Sequence, residues 1–288
     1  MDVGPRRPVL RWHGGKWNLA PWVIQHLPAH RIYVEPFGGA ASVLLRKPRA
    51  YAEVYNDLDD DVVNLFRVLR HPGSAERLVA AIRLTPFARV EQMEAYEQTT
   101  DSVERARRLI VRSYMGFGSN GTHRKTGFRA NSNRSGTTPA RDWANYPDPL
   151  AAVAERMVGV TVENRDAKAV MAAHDGPGTL HYVDPPYMPE TRDKGGDYAH
   201  ELTAVQHVEL LQFLRTLGGM VVLSGYPSPV YDDLLADWTR VERKALADGA
   251  RARTEVLWIN PAANRALGSR QAEMFPTDSE NVREAEGA

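Results

Sequence analysis

Cysteine is absent from all 288 residues. Its absence rules out disulfides, thiolate metal ligands and any mechanism built on a cysteine nucleophile. Cytosine-C5 methylation, which needs a thiolate, and the zinc deaminases, which use cysteine ligands, go with it. Long apolar runs are also missing. None approaches the ~20 residues of a membrane span, and the opening MDVGPRRPVLRWHGG has no apolar stretch of signal-peptide length. The expectation is a cytoplasmic protein without a membrane partner. The nine histidines form no H-E-x-x-H or related pattern, so no metal is expected. Net charge is zero, with 36 basic and 36 acidic residues, but it is unevenly spread. Residues 105–141 hold nine Lys or Arg and no Asp or Glu, while residues 273–286 hold five acids and one arginine. The average therefore conceals a cationic segment balanced by acids elsewhere, including an acidic tail.

What is present reads as a soluble α/β chain, with 43% hydrophobic and 25% charged residues. Its length suits one large domain or two modest ones. Residues 31–47 read as strand, glycine turn and helix, and 52–57 as a second strand. Leu58, Val62, Leu65, Phe66 and Leu69 mark one face of the next helix, with Asp59, Asp60 and Asp61 in its first turn. Residues 74–115 read as helical throughout, ending on an inward stripe of Val103, Ala106, Leu109, Ile110 and Tyr114. Residues 115–143 lose all periodicity and read as loops or a hairpin over a surface. Such a length is more than an idle connection needs. Strands follow at 158–164, 179–183 and 219–225. A helix at 203–217 turns Val205, Val208, Leu211, Leu214 and Leu217 inward, and an antiparallel last strand runs over 253–260. Beyond Pro261 the chain is polar and poor order is expected. The outline is an α/β sheet interrupted by a helical, basic insertion at 59–145.

Two stretches carry chemistry. LHYVDPPY (180–187) is a strand stopped by two prolines, which places Asp184 and Tyr187 at its C-terminal end, where open α/β sheets bind ligands. A plain turn capped by an aspartate is the other reading. EPFGGAAS (35–42) follows a strand, and its small residues let a ligand approach the backbone. Asp57, some twenty residues on, has the spacing of an acid that accepts from ribose hydroxyls, although a helix N-cap is an alternative. G-x-G-x-x-G is absent, which suits a nucleoside without a pyrophosphate.

Taken in order, LRWHGGK, YVEPFGGAASVLL, YNDLDDDVVNLFRVLR, NRDAKAVM and YVDPPY resemble the DNA adenine methylase family, the S-adenosylmethionine-dependent adenine-N6 methyltransferases of the permuted α group. The likeness spans about residues 8–260. It implies a Rossmann-like class I methyltransferase sheet with a mostly helical DNA-recognition insertion. The catalytic part would cover 1–58 and 146–262, the recognition insertion 59–145, and a disordered tail 263–288. It implies that Asp184 and the Pro185 carbonyl, on the rigid Pro185-Pro186 backbone, accept hydrogen bonds from the target amine, and that Tyr187 stacks on the extruded adenine. For the cofactor it implies Trp12, Lys16, Phe37, Gly39, Asp57, Asp166 and Asp184. Trp12 as a core residue and Lys16 as a solvated or DNA-facing charge remain alternatives. Asn120, Arg124, Lys125, Arg129, Asn131, Asn133 and Arg134 would contact duplex DNA through phosphates or base edges. His13 and Ala41 depart from the family pattern. No GATC target is implied, and a monomer is the default expectation. Rival readings are a methyltransferase acting on an RNA or protein amine, and an inactive DNA-binding relative.

Overall fold

The computed structural model describes residues 4–131, 133, 136–191, 200–247 and 251–274. Chain order begins with α1 (Ala20–Gln25), β1 (Ile32–Glu35), β2 (Ala52–Asn56), α2 (Asp60–Arg70), α3 (Pro72–Leu84), α4 (Arg89–Glu94), α5 (Ser102–Met115), α6 (Pro139–Ala144) and α7 (Pro147–Met157). It continues with β3 (Val160–Glu163), α8 (Ala167–His174), β4 (Thr179–Val183), α9 (Ala204–Leu214), β5 (Met220–Gly225), α10 (Pro229–Leu234), β6 (Thr239–Ala247), β7 (Arg251–Ile259) and α11 (Pro261–Met274).

The seven strands form one sheet in the order β3-β2-β1-β4-β5-β7-β6. The first five are parallel, and β7 runs antiparallel between β5 and its hairpin partner β6. This is the expected Rossmann-like class I sheet. Side chains alternate across it, as the period of two demands. Tyr33, Tyr55 and Tyr182 bury on one face with α2, α5 and α7, while Val34, Val54 and Val183 bury on the other with α8 and α9. Both faces are covered, as a parallel sheet requires. Val62, Phe66 and Ile110, within the 59–145 segment, belong to the same buried cluster as Tyr33 and Tyr55.

Several expectations need correction. The helix expected after the glycine turn is only a run of turns over 39–47. Ala41 sits at φ 53°, and the Glu35 carboxylate takes the Leu44 N–H at 3.0 Å, diverting it from a helical ladder. The continuous helix over 74–115 is broken between α3, α4 and α5, where Asp101 caps a new start by accepting from the Glu104 N–H. In α9 the inward face is His207, Leu210, Leu211 and Leu214, and Val205 is 67% exposed. Leu58 is likewise outside, at 42%. The tail is not disordered from residue 263. Asn260 accepts from the Ala263 N–H at 2.9 Å and the Val221 N–H at 3.0 Å, so α11 is nucleated on the sheet and buries Ala263. Residues 275–288 lie outside the described residues. Strand β6 and helices α1, α6, α7, α8 and α10 were not anticipated, and α6 forms where residues 115–143 had read as loops or a hairpin.

Candidate active site

The sheet's order reverses between β1 and β4, and a cleft of about 310 Å³ opens at the C-terminal ends of these strands. Such a switch point is where open α/β sheets bind ligands. Trp12, Lys16, Phe37, Gly39, Asp57, Asp166, Asp184 and Pro186 all line it, although they come from five separate stretches of chain.

Asp57 follows β2, and each of its oxygens takes one backbone N–H: Oδ2 from Gly39 and Oδ1 from Asp59, both at 2.8 Å. A carboxylate oxygen has two lone pairs, so each retains one for a hydroxyl donor. The N-cap alternative fails, because Asp59 caps α2. Burial raises the Asp57 pKa to about 6 against these hydrogen bonds. Gly39 is left-handed at φ +46°, and a Cβ there would come within 2.6 Å of Trp12 Nε1. Trp12 is thus a cleft wall rather than plain core. Asp166 caps α8 by accepting from the Ala169 N–H at 3.0 Å while lining the same cleft.

Asp184 lies just past β4. Its Oδ1 accepts from Ser224 Oγ at 2.6 Å and from the Lys16 ammonium at 3.0 Å. Lys16 is 5% exposed, which overturns the solvated or DNA-facing alternative. Burial works against its charge, but Asp184 and Glu255 beside it outweigh that and hold its pKa above the usual value. Tyr187 is 5% exposed and sits behind the cleft wall. Its hydroxyl donates to Glu255 Oε2 at 2.8 Å, Tyr226 meets its edge, and the Lys16 ammonium covers one face at 4.6 Å. A base can therefore stack on that face only after Lys16 moves.

Sequence reasoning did not assign Glu35, His123, Ser224, Tyr226 or Glu255. Glu35 is buried at the end of β1, held by Tyr33 Oη at 2.7 Å, and burial pushes its pKa to about 8. Its position in EPFGG was a usable signal. Ser224 was findable too, since β4 and β5 are neighbours with Val183 beside Leu223. Glu255 depends on the antiparallel register of β7, which no local pattern discloses. Apart from Glu35, which burial keeps largely protonated near neutral pH, the cleft is lined by five acidic side chains, Asp57, Asp59, Asp166, Asp184 and Glu201, against one lysine. That balance favours a cationic ligand.

The basic segment differs from its linear reading. Among the described residues, five of its cations pair with acids: Arg105 and Arg112 with Asp61, Arg107 with Glu91 and Glu104, Arg108 with Glu104, and Arg129 with Asp142. Arg129 also donates to the Tyr114 carbonyl at 3.2 Å, so its expected DNA contact is not supported by its placement. A hairpin does form. Gly116 bridges Phe128, the Phe117 N–H donates to the Gly127 carbonyl at 2.7 Å, and the Arg129 N–H donates to the Met115 carbonyl at 2.8 Å. Arg124, Lys125, Asn131 and Asn133 are exposed on this segment, with Asn131 Oδ1 accepting from the Asn133 N–H. The backbone of Asn120 lies in a short helical turn, and Arg134 is outside the described residues. Among the described residues no group of three or more His, Asp or Glu could hold a metal, and no helix is long and apolar enough to cross a membrane.

Comparison with known proteins adds an independent line. The profile of the D12 class N6 adenine-specific DNA methyltransferases matches residues 12–247. The type II methyltransferase M1.LlaDCHI of Lactococcus lactis subsp. cremoris is 27% identical over 261 residues, covering 81% of this chain and 85% of its own length. A DNA adenine methylase of Serratia marcescens is 28% identical, covering 64% of this chain and 67% of its own. The DNA N-6-adenine-methyltransferase of Escherichia phage P1 is 25% identical over 80% of this chain and 31% of its own length.

Proposed function

The chain belongs to the D12 class of N6 adenine-specific DNA methyltransferases, and on that premise we propose how its residues perform the transfer. The exocyclic amine of adenine is a weak nucleophile because its lone pair is delocalised into the ring. Acceptors that hold its N–H groups favour the pyramidal nitrogen that can attack. Asp184 is the first acceptor, with the Pro185 carbonyl beside it. Lys16 and Ser224 both engage Oδ1, which leaves Oδ2 for the amine. The carboxylate is thereby preorganised for the positive charge that develops on nitrogen, the kind of arrangement that usually lowers such a barrier most.

S-adenosylmethionine, when bound, supplies the electrophilic methyl. The cleft suits it on three counts: an acidic lining for its cationic amino-acid end, two free lone pairs on Asp57 for a ribose diol, and the Trp12 and Phe37 rings for its base. Asp166, on the same wall, is the acceptor for its adenine amine. Base stacking buries the target nitrogen in a duplex, so the nucleotide must be extruded at a cost of a few kcal/mol. Pro186 borders the cleft and Tyr187 backs it, held in place by Glu255 and Lys16. The exposed Arg124 and Lys125, with Asn120, Asn131 and Asn133, are the groups we assign to the duplex, phosphates first and base edges second.

The observation that carries this reading is Asp184 fixed by two donors on the wall of a cleft that also holds Asp57. Labelled cofactor incubated with duplex DNA, RNA and protein tests it. Label should enter DNA alone, and lose its DNA entry in Asp184→Ala. Label in RNA or protein alone sinks it.

A further inference from the structure

His123 belongs to the recognition hairpin, one residue before Arg124, yet its ring lines the cleft. The side chain is 10% exposed. Its Nδ1 lies 3.4 Å from Asp59 Oδ2, and its ring meets Trp12 edge-on at 4.8 Å between centroids. Burial holds its pKa below the usual value. A carboxylate can only accept, so in the neutral ring Nδ1 carries the proton and Nε2 is a bare acceptor. That Nε2 is buried and has no hydrogen-bond partner. A buried acceptor without a donor costs free energy, so what holds the ring in place is Asp59 and the Trp12 edge.

The same hairpin is clasped to the cleft wall at further points. His13 Nδ1 and Ser119 Oγ are 3.3 Å apart, and Arg11 reaches the Gly116 carbonyl at 3.4 Å. The wall segment 11–13 therefore bears on the nucleoside cleft from one side and on the hairpin from the other. Asp59, which orients His123, is two residues past Asp57.

We propose that His123 is a positioning residue that couples the two substrates: a cofactor seated against Trp12 and Asp57 fixes the His123 ring through its contacts with Trp12 and Asp59, and this fixes the hairpin that presents Arg124 and Lys125 to the duplex. The proposal deepens the function given above and rests on its cofactor and duplex assignments. Coupling of this kind is reciprocal, so cofactor tightens duplex binding by the factor by which duplex tightens cofactor binding.

The test uses the full chain, a labelled duplex that the wild type methylates, and S-adenosylhomocysteine as the unreactive cofactor. Duplex Kd is measured by fluorescence anisotropy with and without saturating S-adenosylhomocysteine, and the ratio is the readout. The wild type should show a ratio of roughly tenfold or more. In His123→Ala and in His123→Asn the ratio should fall towards one, whatever happens to each separate affinity. The Asn variant keeps a donor for Asp59 and loses only the Nε2 acceptor and the ring, so it decides the matter if the Ala variant unfolds. An unchanged ratio in His123→Asn, or a wild-type ratio of one, overturns the proposal. A wild type that binds S-adenosylhomocysteine and methylates DNA but shows no coupling refutes the proposal alone. One that does neither removes the underlying function as well.

Discussion

Replacing Asp184 with asparagine keeps the shape of the side chain and reverses the chemistry of one atom. The asparagine carbonyl can still take the Ser224 hydroxyl and the Lys16 ammonium, which now meet Asp184 Oδ1 at 2.6 and 3.0 Å. Its NH₂ group then faces the N–H groups of the target amine, donor against donor. Losing one preorganised group of this kind raises a barrier by roughly 2.7–4 kcal/mol, a drop of about 10²–10³ in kcat. The substitution also strips a buried lysine of its nearest counter-ion. Breaking a buried pair costs about 3–5 kcal/mol when nothing replaces the lost partner. Here Glu255 still faces Lys16, and the Tyr187 ring lies under it at 4.6 Å. The expected stability loss is therefore smaller, on the order of 1–3 kcal/mol. Single-turnover transfer of a labelled methyl group gives the first quantity and urea denaturation the second. A folded Asp184→Asn protein that keeps more than about a tenth of the wild-type rate would refute the acceptor role.

Tyr187→Phe removes the donor that Glu255, 7% exposed, now has at 2.8 Å, and should cost about 1–3 kcal/mol in urea unfolding; an unchanged midpoint would show that the contact is incidental. Gly39→Ala forces a side chain into φ +46° with its Cβ 2.6 Å from Trp12 Nε1, and calorimetry should find cofactor affinity down about tenfold or more, with a strain of roughly 1–3 kcal/mol. Asp57 has its folded pKa raised by burial to about 6, above the ordinary carboxylate value. Its protonated form is favoured in the folded state, so this group's contribution to stability grows as pH falls through about 6 and is lost as pH rises. Ligand binding needs the ionised acceptor, so cofactor affinity should fall below pH 6, by up to about tenfold per unit, and a flat calorimetric profile between pH 5 and 7 contradicts that role. Arg124 is exposed on the hairpin and assigned to a phosphate, so Arg124→Ala should flatten the log–log salt dependence of duplex binding by about 0.9. A wild-type slope that requires all nine cations would mean that the paired arginines are released on DNA.

How far the chain could be read in advance depended on how local each determinant is. The strands at 52–57, 179–183 and 219–225 and the buried stripe of α5 rest on periodicity within one segment, and all formed where expected. The candidate cofactor set came together for a related reason: Phe37, Asp57, Asp166 and Asp184 each follow a strand, and parallel strands deliver their C-terminal ends to one edge. What was not legible depends on distant register. Glu255 reaches Tyr187 across 68 positions through an antiparallel pairing. Arg112 and Arg105 meet one carboxylate, Asp61, that lies more than forty residues before either of them. A block of charge in the sequence therefore ceased to be one in the fold. Ala41, noted as a departure where glycine was expected, does occupy a left-handed position at φ 53°. His123 was hidden among polar loop residues, and only the folded hairpin places it on the cleft.

As a D12-class enzyme the chain should methylate the N6 amine of adenine in duplex DNA, and the hairpin is the element we assign to choosing the sequence. A randomised duplex library, incubated with the purified protein and S-adenosylmethionine and then read for N6-methyladenine by context, tests it most directly. N6-methyladenine should be confined to one short context in the wild type and absent in Asp184→Ala. Methyl groups found on cytosine, or an Asp184→Ala library methylated like the wild type, would contradict it.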